Sequence, residues 1–148
     1  MTDSRRSTAL GRFQCEELLA QHHLARVALN GRGGLRIHPV SYRFHDQSVV
    51  FRTTPDSVLG GLAHPQPVAV LVDQLDEESR SGWSVLLQGT SRGISDLTEL
   101  AHLWTVDELS PWGVGVHTVF VEVRAEHVTG RAFSAGPAGP GPVGGELS

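Results

Sequence analysis

Apolar positions first recur at helical spacing. Over Arg12 to Gln21, Phe13, Leu18 and Leu19 share one face while Glu16 and Glu17 lie outside, which predicts a short helix. Cys15 shares the spacing of Leu18 and Leu19 and reads as a small packing residue. From Ala25 the pattern changes. Arg26-Val27-Ala28-Leu29 reads as a strand, and Asn30-Gly31-Arg32-Gly33-Gly34 as a turn tolerant of positive φ. Leu35 to Phe44 is a second strand, interrupted by Pro39. His45-Asp46-Gln47 then turns into a third strand, Ser48 to Arg52. Strand, tight turn, strand, tight turn, strand is an antiparallel meander.

Beyond Pro55, Asp56 or Ser57 can cap a short helix over Val58 to Ala63, although Gly60 and Gly61 weaken it. Val68-Ala69-Val70-Leu71-Val72 is a nearly unbroken apolar run, as expected of a strand covered on both faces. Asp73 to Gly82 reads as an acidic, solvated connection. Trp83 to Ile94 is a long strand with a bend at Gly89, and Asp96 to Leu103 a short helix opened by a capping-box pattern. Thr118 to Val123 closes the set. The pattern predicts a mainly β fold of six antiparallel strands with two or three short helices, a barrel or sandwich rather than a doubly wound sheet. One domain over residues 11–133 is expected, between a flexible terminus (1–10) and a disordered Gly/Pro-rich tail (134–148).

Composition narrows the function classes. At 148 residues with 39% hydrophobic and 19% charged positions, the chain is an ordinary globular domain. A net charge of −4 supplies no basic field for nucleic acid or an anionic membrane surface. A single cysteine excludes an intramolecular disulfide framework and a cysteine-built zinc site. The eight histidines are scattered without metal-ligand spacing, so no metal site is assigned. The polar start lacks the apolar run of a signal peptide, and no stretch is apolar enough to span a bilayer, so the expected location is cytoplasmic.

Three segments carry a resemblance. They are His38-Pro39-Val40-Ser41-Tyr42 on the second strand, Phe51-Arg52-Thr53-Thr54-Pro55-Asp56-Ser57 at the end of the third, and Ser81-Gly82-Trp83-Ser84-Val85 followed by Gly89. Pro111-Trp112 and Val128-Thr129-Gly130-Arg131 match more loosely. In order and spacing, over roughly residues 10 to 131, the chain resembles the pyridoxamine 5′-phosphate oxidase-like proteins, flavin-binding split β-barrels. The resemblance implies a homodimer with FMN at the subunit interface and FMN-dependent oxidoreductase activity on a small-molecule substrate. It implies that His38, Pro39, Val40, Ser41 and Tyr42 lie along the isoalloxazine ring, partly through backbone groups. It places the FMN phosphate on Arg52, Thr53 and Ser57, and the ring or ribityl chain near Trp83 and Ser84. His117 stands about where the family often has a basic residue after its Pro-Trp segment. No catalytic acid or base is singled out.

The chain departs from the family pattern at one place. The usual Gly-Ser-Lys after the phosphate loop is here Asp56-Ser57-Val58. A lysine to phosphate is lost, which would weaken FMN binding by roughly tenfold to a hundredfold or more. Other readings therefore stand beside the first: a non-catalytic homodimer that has lost FMN and binds another small molecule or protein, or a relative binding deazaflavin or haem. Arg32, Arg36 and Arg43 are the hint of a basic groove for a deazaflavin.

Overall fold

The computed structural model describes residues 6–96, Thr98 and residues 118–135. Along the chain run β1 (Arg6–Ala9), α1 (Arg12–Gln21), β2 (Leu24–Gly31), β3 (Gly34–His45) and β4 (Ser48–Thr53). A 3-10 helix (Leu59–Ala63), β5 (Pro67–Asp76), β6 (Ser81–Ile94) and β7 (Val119–Ser134) follow. The expected helix at 96–103 falls almost wholly outside the described residues, as do Pro111, Trp112 and His117.

The meander forms as its turns dictate. Arg32 and Gly33 connect the paired Gly31 and Gly34, with Gly33 at φ 87°. Asp46 and Gln47 join β3 to β4 with φ 50° and 68°, the double left-handed geometry that suits a two-residue hairpin. The sheet runs β1-β7-β4-β3-β2-β5-β6, and β6 also pairs with β7, closing the ring into a split barrel. Closure rests on β7. One edge takes β6 along most of its length, while the other takes β4 over Val119–Arg124 and β1 over Arg131–Ser134. The bend expected at Gly89 is a register shift between Gln88 and Gly89. A side chain at Gly89 would run into the Arg124 carbonyl, so glycine is required where the two strands cross.

Several expectations change. Among the described residues the sheet has seven strands rather than six, because Arg6–Ala9 pairs with the end of β7. Its side chains are all exposed, so backbone hydrogen bonding and not burial places it. Asp73–Asp76 is not loop but the end of β5, paired with Ser81–Ser84. The helix expected over Val58–Ala63 is a short 3-10 turn, as two adjacent glycines favour. Phe13 is exposed, and α1 buries Cys15 and Leu19 instead. Of the β5 run, Val68, Val70 and Val72 fill the core, while Ala69 and Leu71 on the outer face are only half-covered by this chain.

The core gathers Tyr42, Phe51, Leu62, Val70 and Leu87 inside the ring, closed at one end by Leu19 and Cys15 of α1. Cys15 packs against Gly130, with its Sγ 2.7 Å from where a Cβ there would stand. Burial raises its thiol pKa, with Arg12 opposing the shift and Glu16 adding to it.

Candidate functional site

β3 is twice as long as β4, and this mismatch builds the site. β2 pairs with β3 over Gly34–Ser41, but β4 pairs with it only over Tyr42–His45. Among the described residues the other edge of β3 from Gly34 to Ser41 therefore has no strand beside it. The Tyr42 N–H donates to the His23 carbonyl at 2.8 Å, toward β2. Peptide groups alternate sides in an antiparallel ladder, so those of Ile37, Pro39 and Ser41 face the open edge. Pro39 presents only an acceptor there, which is where a strand accommodates proline.

Side-chain alternation divides the His38–Tyr42 segment in two. Pro39 and Ser41 are exposed on the outer face, whereas His38, Val40 and Tyr42 face inward. Tyr42 is fully buried, and its hydroxyl donates to the Leu19 carbonyl at 2.6 Å. Desolvation raises its pKa. The His38 Nε2 is buried without a hydrogen-bond partner among the described residues, on the core side of the strand. A ligand on the outer face would meet Pro39 and Ser41 as side chains and the rest of the segment as backbone.

Beside Pro39 and Ser41 lies a groove of about 460 Å³, lined also by Leu24, Ala25, Arg26, Val40 and Asp73. Arg26 and Asp73 form an ion pair at 3.1 Å within it. Neither residue was singled out by the sequence reading. The signal available was positional: Arg26 is the exposed charge on β2 opposite Pro39.

The loop after β4 brings Thr53 and Ser57 together, with their hydroxyls 2.7 Å apart. The Ser57 hydroxyl donates to the Thr54 carbonyl at 2.7 Å and accepts the Gly60 N–H at 3.0 Å. Its single proton is used, so the Thr53 hydroxyl is the donor of the bond between them. Both protons are spent inside the loop, and the expected pair of hydroxyl donors to a phosphate is not offered in this arrangement. Asp56 is exposed, and so is Val58 at 45%. Arg52, at the end of β4, is half-buried.

The remaining candidates lie apart. Trp83 packs on the core with its ring 4.7 Å from that of His22, at the α1 end of the barrel. Ser84, on β6, pairs with Asp73 of β5 and lies three strands from Ser41, a distance of roughly 14 Å. Arg36 and Arg43 are about 23 Å apart along β3, so Arg32, Arg36 and Arg43 do not line one groove.

An antiparallel ring with one strand edge left open among the described residues defines a split barrel. The chain belongs to the pyridoxamine 5′-phosphate oxidase family, whose model matches residues 12–132. It is 28% identical over 132 residues to the uncharacterized protein Rv0080 of Mycobacterium tuberculosis, covering 86% of each chain. A FAD-binding protein from Mesorhizobium loti has the same fold, with a TM-score of 0.73 at 23% identity over 88% of this chain and 98% of that one. The FAD-binding protein from Mycobacterium smegmatis superposes with a TM-score of 0.67 at 27% identity, over 86% of this chain and 98% of that one.

Proposed function

We propose that this chain binds a flavin on the outer face of β3 and serves as a flavin-dependent oxidoreductase acting on a small molecule. The open backbone edge at Ile37, Pro39 and Ser41 carries the reading. The pyrimidine side of a flavin alternates carbonyl acceptors with an N–H donor. A strand edge that alternates C=O and N–H groups, with only an acceptor at Pro39, complements it. The groove bordered by Leu24, Pro39 and Ser41 gives the ring a partly apolar bed. The FAD-binding relative from Mycobacterium smegmatis supports a flavin as the ligand. Once bound, the flavin supplies hydride and electron transfer, and the protein positions and tunes it. FMN is the flavin the family pattern implies; the choice of flavin rests with the phosphate end of the site.

The working unit in this reading is a homodimer in the cytoplasm, with the site at its interface. Leu24, Leu35 and Ile37 are 76%, 82% and 68% exposed on the outer face of β2 and β3. Ala28, Ala69, Leu71 and Leu86 continue the same face across β2, β5 and β6. A second copy laid on this surface would complete the burial of β5 that its sequence pattern calls for.

The test is the visible spectrum of the purified protein, before and after excess FMN or FAD and desalting. A flavin spectrum near one per subunit supports the reading. A colourless protein that retains neither flavin overturns it in favour of a homodimer that has lost its flavin, as the exposed Asp56 and Val58 would suit.

A further inference from the structure

The outer face of β2 and β5 presents Leu24, Ala28, Ala69 and Leu71 around the Arg26–Asp73 ion pair. Strand register sets Pro39, Arg26 and Leu71 in one row and continues it to Leu86 of β6. The row beside it holds Ser41 and Leu24, then Asp73 and Ser84. Arg26 and Asp73 thus meet on a diagonal between two leucines, inside the groove of about 460 Å³. Further along the second row, Arg131 of β7 stands two strands from Asp73, and its guanidinium holds Ser7.

The pair is incompletely bonded. Among the described residues the two side chains share one hydrogen bond, from Arg26 Nη1 to Asp73 Oδ1 at 3.1 Å. A guanidinium carries about five N–H donors and a carboxylate about four acceptor sites, so most of both sets stay unused. The side chains are 58% and 20% exposed, which leaves the carboxylate the more sheltered of the two. A surface pair of this kind contributes about 0–1 kcal/mol to stability, so the barrel does not depend on it. Beneath a second copy of the chain it would be dried with those groups unsatisfied, which is unfavourable for both charges. A ligand that completes both charges removes that penalty.

Sign and spacing select that ligand. An anion drawn to Arg26 meets the Asp73 carboxylate beside it, and a cation drawn to Asp73 meets the guanidinium. A compact zwitterion avoids both repulsions, because it lies antiparallel to the pair and closes a square of alternating charges. We propose that Arg26 and Asp73 form a clamp for a free α-amino acid. Its carboxylate takes the guanidinium N–H groups that Asp73 leaves unused, as a fork. Its ammonium donates to Asp73 Oδ2. The pair stands on the β2–β5 side of the groove, away from the open edge of β3. The amino acid is then the small molecule of the flavin reading above, on which the assignment rests for the ligand's role and not for its binding.

Calorimetric titration of the native chain with each standard L-amino acid tests the clamp, with the visible spectrum recording flavin in the same samples. At least one amino acid is expected to bind. Its N-acetyl derivative, which lacks the ammonium, and the corresponding amine, which lacks the carboxylate, should each bind at least about tenfold more weakly. Asp73→Asn should remove the advantage over the N-acetyl derivative, and Arg26→Gln the advantage over the amine. A purely structural ion pair would not produce that split. Binding of no amino acid, or equal binding of all three forms, overturns the inference, while flavin retained in those samples keeps the flavin reading. Charge-selective binding to a colourless protein that retains no added flavin keeps the clamp and overturns the flavin reading.

Discussion

The Tyr42 hydroxyl donates a 2.6 Å hydrogen bond to the Leu19 carbonyl and ties β3 to the last turn of α1. A helix leaves its final carbonyls without intrahelical partners, and Leu19 is one of these. The buried phenol satisfies it inside the core. Tyr42 is therefore structural, and Pro39 and Ser41 are what the same segment turns outward. Tyr42→Phe should lower unfolding free energy by about 1–3 kcal/mol in urea denaturation, because it leaves a buried acceptor unpaired. Flavin affinity should stay within about twofold, since no atom of the outer edge is removed.

Burial also gives Tyr42 a pH signature. Its pKa is raised in the folded state by desolvation, so the folded chain keeps the proton longer than the unfolded one. Stability from this source is complete below the unfolded tyrosine value of about 10 and is lost as pH climbs above it. Thermal melts from pH 9 to 11 should show a falling midpoint, and the Tyr42→Phe variant should show a shallower fall. Equal slopes in the two proteins would assign the alkaline loss to other groups.

Most of the barrel was legible because strand alternation and turn chemistry are local. Asn30–Gly34 and Asp46-Gln47 specify their hairpins by themselves. β1 was not legible: Arg6-Ser7-Thr8-Ala9 has no apolar alternation, and only the free edge of β7 beyond β4 gives it a partner. The acidic end of β5 was read as loop because its charges hid a strand held by pairing with β6. At the site, the Pro39 signal was local and its open edge appears in the structure. The protons of Thr53 and Ser57 were not readable, since their direction depends on where the loop folds back.

That loop makes a prediction of its own. Ser57 is bonded to Thr53, to the Thr54 carbonyl and to the Gly60 N–H. Ser57→Ala removes all three bonds at a half-buried point and should cost about 1–2 kcal/mol of stability. Gly60→Ala should cost at least as much, because a Cβ there runs into the Thr54 and Pro55 carbonyls. Both variants should bind FMN more weakly when flavin-free protein is titrated and flavin fluorescence followed, and riboflavin, which lacks the phosphate, should be less affected.

Cys15 is 1% exposed, and burial raises its thiol pKa. Thiolate is the reactive form, so both effects slow modification. A thiol reagent such as 5,5′-dithiobis(2-nitrobenzoate) should label the native chain at the rate of its opening, and label one thiol promptly in denaturant. Fast labelling of the native protein would show that α1 detaches readily from the barrel.

Ile37 tests the proposed dimer most directly. It is 68% exposed, lies opposite Ala28 on β2, and stands beside the open edge without being needed for the core. Burying one such side chain contributes about 1.5–3 kcal/mol. In a two-fold interface each substitution occurs twice, so Ile37→Asp should weaken association by about 3–6 kcal/mol, a factor of roughly a hundred to twenty thousand. Sedimentation velocity should then show the native chain as a dimer and the variant as a monomer at micromolar concentration, with matching far-ultraviolet circular dichroism. Flavin affinity should drop with the dimer if the interface completes the site. A native chain that sediments as a monomer and still binds flavin would place the whole site within one subunit.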